Sequence, residues 1–153
     1  MHDVEYIGVM HFLLLSAFLA AQLLPARPAV QHVTLAPSVS VKGSAAILLL
    51  DVTPKSKIHV YGPGAKDFLQ PTLKIIPADG VTVGKVSYPL PELVLDPILE
   101  QRIPMYTKTF RVTQPITMKA GAVSSISGVL SYQACDDTTC YAPSSIAVEW
   151  VLK

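Results

Sequence analysis

A chain of 153 residues with 50% apolar and 15% charged side chains is long enough for one domain with a real core and too weakly charged for a disordered polymer. Its net charge of +1, with no Lys/Arg cluster, excludes a basic nucleic-acid-binding face. Thirteen prolines and eight glycines interrupt short Val/Ile/Thr-rich runs, a composition of strands and turns rather than helices.

The longest apolar stretch is Phe12-Leu-Leu-Leu-Ser-Ala-Phe-Leu-Ala-Ala-Gln-Leu-Leu24, followed at once by Pro25-Ala-Arg-Pro-Ala29. A membrane span needs about 20 residues, so this shorter run fits the apolar region of a signal peptide, with cleavage expected between Ala26 and Gln31. Asp3 and Glu5 carry the wrong charge for the start of such a leader, which makes Met10 a candidate start. Counted from Ile7, the segment is long enough to stay as an uncleaved anchor. Both readings remain open, and both divide the chain into a signal or anchor helix over residues 1–29 and an exported domain over 30–153. Membrane contact is expected only through that first segment. Its loss removes Arg27, Asp3 and Glu5, so the remainder stays nearly neutral.

Strand candidates follow in order. Residues 39–42 alternate, and 45–52 form a continuous apolar run, as expected for a central strand buried on both faces. Residues 57–61 precede Gly62-Pro-Gly64, residues 72–76 stop at Pro77, and 81–88 alternate up to Pro89. Residues 90–101, holding Pro91 and Pro97, read as a long loop. Residues 103–112, 125–133 and 145–152 supply the last three strands, with Trp150 on the inward face beside Val148 and Leu152. Eight short strands without helical periodicity predict an all-β, antiparallel sandwich.

Cys135 and Cys140 are the only cysteines, placed between two strands. Across a hairpin such residues can approach within disulfide range, and export favours the oxidised form. A ring this short contributes about 2 kcal/mol in the chain-entropy model, a weak reason for its presence. Spacing alone leaves a structural staple and a redox couple open. A copper site would need neighbouring His and Met ligands, but His32, His59, Met105 and Met118 lie on other segments.

The stretch Tyr132-Gln-Ala-Cys-Asp-Asp-Thr-Thr-Cys-Tyr-Ala-Pro143 resembles the active-site hairpin of the amino-terminal periplasmic domain of the DsbD thiol:disulfide interchange family. His59-Val-Tyr61, Gln70-Pro-Thr72, Val86-Ser-Tyr-Pro89, Met105-Tyr106 and Pro115 fall in that family's order, extending the resemblance over residues 38–152. It implies an immunoglobulin-like sandwich whose Cys135/Cys140 couple exchanges electrons with thioredoxin-like partners; no cofactor and no metal are expected. It implies too that His59 and Tyr61 flank the disulfide, that Tyr141 rims the hairpin, and that residues 90–101 cap the sulfurs. That loop holds no aromatic residue, which assigns the shielding to Leu95, Ile98 or Leu99. The helical membrane domain and thioredoxin-like domain of full DsbD have no counterpart in the sequence, so a separate membrane electron donor is expected.

Thiol exchange proceeds by attack of a thiolate on a disulfide sulfur. Asp136 and Asp137 adjoin Cys135, and residues 120–152 hold no Lys, Arg or His to stabilise a thiolate. A sluggish free thiol, reactive only inside a docked complex, is expected. The competing reading of the same chain is a non-catalytic sandwich that binds a protein partner, with a passive disulfide and both aspartates serving a solvated turn.

Overall fold

The computed structural model describes residues 31–97 and 99–152. Residues 1–30, Ile98 and Lys153 lie outside them, and with them the expected signal or anchor helix. The described chain is all β and antiparallel: β1 (Val33–Lys42), β2 (Ala45–Pro54), β3 (His59–Tyr61), β4 (Thr72–Ile75), β5 (Val81–Val83), β6 (Glu92–Asp96), β7 (Gln101–Tyr106), β8 (Phe110–Met118), β9 (Ser125–Tyr132), β10 (Ala134–Cys135) and β11 (Ser144–Val151). Among the described residues no helix is long and apolar enough to cross a membrane.

The strands form three sheets, ordered β1-β2-β8-β5, β11-β9-β4 and β10-β3-β7-β6. Leu48, Leu50, Val52, Val112 and Ile116 of the first share one core with Leu73, Ile75, Ile126, Leu130 and Trp150 of the second. Val60, Tyr106 and Ala134 bring one face of the third sheet into the same core. The result is a sandwich in which β9 runs through Gln133 into β10 and so links the second sheet to the third. Trp150 is 1% exposed and donates its indole N–H to the carbonyl of Leu49 at 2.8 Å, tying β11 to the first sheet.

Three sequence expectations are corrected. β2 is interior to its sheet, yet it alternates between buried and open positions, and Ile47 is 43% exposed. A two-layer sandwich covers only one face of each sheet, so an apolar run does not imply two-sided burial. The single strand expected over 103–112 is two, β7 and β8, broken at residues 107–109. The loop expected over 90–101 is the hairpin β6–β7, with Val94 opposite Ile103 and Asp96 opposite Gln101. Its prolines do not prevent pairing, because Pro91 precedes β6, Pro97 follows it, and Pro104 turns its carbonyl toward the N–H of Gly62 at 2.9 Å.

Candidate redox site

Period-two alternation sorts the third sheet into two faces. One faces the main core. The other gathers Cys135, Tyr61, Ile103 and Met105 into a second buried cluster with Ala65, packed on by Phe68 and Val94. Cys135 pairs directly with His59, and Tyr61 pairs with Met105, so these side chains share that face.

Cys135 and Cys140 are disulfide-bonded, their Cα atoms 4.1 Å apart. The close approach follows from the turn. Asp136 N–H donates to the Thr139 carbonyl and Tyr141 N–H to the Ala134 carbonyl, each at 2.9 Å, so the two cysteines oppose one another between those bonds as a non-hydrogen-bonded pair. Their environments differ sharply. Cys135 is 0% exposed, whereas Cys140 lies at the surface.

Asp136 holds the turn together. Its Oδ1 accepts from the N–H of Thr138 and of Thr139, both at 2.8 Å, and from the Thr138 hydroxyl at 2.9 Å, while Oδ2 accepts from the Tyr141 hydroxyl at 2.6 Å. Tyr141, and then Thr138, hold its carboxyl well below the usual carboxylate range, and the same bond raises the Tyr141 phenol. A carboxyl depressed in the folded state stabilises above its unfolded pKa of about 3.9 and loses that contribution as pH falls through the folded value. The turn should therefore loosen only in strong acid. Asp136→Ala should loosen it at neutral pH, read as severalfold faster reduction of the disulfide by dithiothreitol.

Tyr141 stacks on His32 with ring centroids 3.9 Å apart, and His32 N–H donates to the Tyr132 hydroxyl at 3.1 Å. Gln133 spans from the hairpin to the preceding loop, accepting from Leu69 N–H at 3.4 Å and donating to the Tyr141 carbonyl at 3.3 Å. The tyrosine and glutamine of the Tyr-Gln-x-Cys sequence thus brace the hairpin from behind.

Tyr61 reaches the exposed sulfur. Its hydroxyl lies 3.8 Å from Cys140 Sγ and donates to Asp96 Oδ2 at 3.1 Å, while Asp96 Oδ1 accepts from Leu99 N–H at 2.9 Å. Burial first, and Asp96 second, push the Tyr61 phenol up, so it stays protonated. His59 stands edge-on to Tyr61, centroids 5.4 Å apart. Burial lowers its pKa against the opposing pull of Asp96, Asp137 and Asp136, which favours the neutral ring. Asp137 is exposed and lines a shallow groove of about 200 Å³ with Lys57, His59, Val94 and Met105.

Cys135, Cys140, His59, Tyr61, Asp136 and Tyr141 thus come together, with Asp137 on the rim. Two of the expected shields, Leu95 and Leu99, do not. Leu95 and Leu99 are 59% and 44% exposed, and Ile98 lies outside the described residues. Alternation along β6 explains it: Leu93 and Leu95 take the face opposite Val94 and Asp96, and it is Val94 that packs on the sulfur cluster. The aromatic cover comes from another loop, where Phe68 stacks on Tyr61 at 3.8 Å. Sequence reading missed Phe68, Asp96 and Met105. Asp96 carried a signal, a lone acid within Leu93-Val-Leu-Asp-Pro97; Phe68 offered only its place as the one aromatic residue between Tyr61 and Tyr88.

Residues 20–150 match the family model described as the thiol:disulfide interchange protein DsbD, N-terminal. The chain belongs to this family. Among solved structures it is similar to the Neisseria meningitidis DsbD N-terminal domain in the reduced form, with 22% identity, a TM-score of 0.50, and 76% of this chain and 84% of that one covered. It is also similar to the N-terminal periplasmic domain of ScsB from Proteus mirabilis, with 18% identity and a TM-score of 0.55; there 80% of this chain covers 47% of the other, about half its length. A complex of the N. meningitidis DsbD and PilB N-terminal domains matches at 20% identity and a TM-score of 0.47, over 75% of this chain and 80% of that one. No curated protein matches the chain. At these identities the two likenesses with TM-scores of 0.50 and 0.55 speak for the fold alone, and the family assignment rests on the match to the family model.

Proposed function

We propose that residues 30–153 form an exported, periplasmic thiol:disulfide exchange domain, following a signal or anchor over residues 1–29, in which Cys135 and Cys140 carry two electrons between thioredoxin-like partners. It would act as a component of a protein-disulfide reductase system, supplied by a membrane electron donor. The observation that carries this reading is the asymmetry of the disulfide: one sulfur at the surface, the other fully buried. A staple needs no exposed sulfur, whereas exchange needs one that a partner thiolate can approach in line.

Cys140 is the sulfur a partner reaches, and Cys135 is the one released into its apolar cluster. Tyr61 stands where a freed Cys140 thiol can hydrogen-bond, held there by Asp96. Neighbouring Asp136 and Asp137 disfavour a free thiolate, so the reduced domain rests as a thiol until a partner docks. The reduction potential tests the reading against a passive staple. Structural disulfides usually lie below about −300 mV, and equilibration with glutathione should place this couple above that. A value below it would overturn the exchange function.

A further inference from the structure

His59 is 6% exposed, its Nε2 is buried, and among the described residues that atom meets no hydrogen-bond partner. Two polar groups beside it are engaged elsewhere. The Tyr61 hydroxyl is directed to Asp96, and the Asp136 carboxylate is taken up by its own turn and Tyr141. Buried polar atoms are nearly always paired, and one left unpaired calls for a physical reason. His59 is the direct antiparallel partner of Cys135, so the two side chains stand on one face of the sheet, at a spacing of about 5 Å between Cβ atoms for such pairs. A disulfide sulfur has no hydrogen to give. A thiol has one.

We propose that Nε2 of His59 accepts the thiol hydrogen of Cys135 in the reduced form, so that His59 stabilises the dithiol state and sets the potential of the couple. The inference rests on the exchange reading above. A donor thiolate attacks Cys140 Sγ, forming a mixed disulfide and breaking the bond to Cys135, which leaves as a thiolate and takes a proton. The donor's second thiolate then attacks its own sulfur in the mixed disulfide and releases Cys140. The donor dithiol has lost two electrons and two protons, and Cys135 and Cys140 have gained them. The new Cys135 S–H then donates to the waiting nitrogen.

The charged and titratable groups around the ring are Asp96 at the end of β6, Asp136 and Asp137 in the turn, Tyr61 on β3, and Lys57 on the shared groove. The acids favour a charged ring and burial favours a neutral one. Only the neutral ring offers its lone pair, so the effect fades as pH falls and the ring takes a proton.

Equilibration with glutathione at neutral pH, quenched and counted by mass spectrometry, tests this in the full exported domain. His59→Phe should raise the equilibrium constant for disulfide formation about fivefold, which is about 20 mV toward a more reducing couple. His59→Gln, which keeps an acceptor, should stay within about twofold of wild type. An unchanged constant in the Phe variant, or an equal shift in both variants, overturns the proposal. Wild-type protein gives a second readout that needs no variant. The His59 ring ¹⁵N resonances should move on reduction, and identical His59 spectra in the two states overturn it as well. The wild-type potential judges the exchange reading separately, since the ratio between variants does not depend on it.

Discussion

Cys135→Ala should trap a thioredoxin-like partner, or glutathione disulfide, as a stable mixed disulfide through Cys140. Cys140→Ala should react on the order of a hundredfold more slowly, a difference of about 2.7 kcal/mol in barrier. The asymmetry is structural. In the first variant the remaining thiol sits at the surface, beside the Tyr61 hydroxyl and at the mouth of the turn. In the second it lies in a cluster with Tyr61, Ala65, Ile103 and Met105, against which Phe68 packs by stacking on Tyr61. That sulfur is fully buried, so reaching it requires opening and wetting the cluster, where the stacked aromatic pair alone is worth about 0.5–1.5 kcal/mol beyond its buried area. Both reactions should be slow at neutral pH and quicken in base, because the nearby acids favour the thiol. Comparable rates for the two variants would mean that the cluster opens freely and that burial does not choose the reacting sulfur. The readout is adduct formation over time by mass spectrometry, with denatured protein giving the unprotected rate of each cysteine.

The sequence revealed the parts of this site that follow from local chemistry. Alternation and turn residues marked most strands, and the cysteine hairpin with His59 and Tyr61 was legible from motif order. What it hid depends on register. Residues 90–101 read as a loop because prolines were counted as breakers, although Pro91 and Pro97 bracket β6 and Pro104 faces a partner that needs only its carbonyl. Once that segment is a strand, a one-residue choice of face decides whether Leu95 or Val94 meets the sulfurs, and nothing in a run of Leu, Val and Leu makes the choice. Asp96 shares the inward face with Val94, and its carboxylate meets the Tyr61 hydroxyl across the sheet. Phe68 was hidden for a different reason. It reaches Tyr61 only because the loop after β3 folds back over the outer face, a tertiary contact with no periodic trace.

Gly62→Ala should destabilise the domain by about 1–3 kcal/mol and loosen the cover over the disulfide, because Gly62 is where the β6–β7 hairpin meets β3. A Cβ there would fall 2.5 Å from Pro91 Cβ, 2.8 Å from Pro91 Cγ and 3.2 Å from Tyr106 Cε2. None of these can step aside cheaply. Pro91 is a rigid ring at the entry to β6, and Tyr106 is buried, stacked on Phe110 at 3.9 Å and hydrogen-bonded to the Pro89 carbonyl at 2.5 Å. The hairpin must move as a unit, and it carries Asp96 and Val94 with it. Tyr61 would then lose its buried carboxylate partner, and dithiothreitol should reduce the disulfide faster in the variant than in wild type. Urea denaturation of both proteins measures the stability loss. A double-mutant cycle separates the clash from a general cost of losing glycine: in a Pro91→Gly background, where the obstructing ring is gone, Gly62→Ala should cost much less. If the cost is the same with and without Pro91, contact between these two residues does not seat the hairpin, and the position of Asp96 beneath Tyr61 must be set from the β7 side alone.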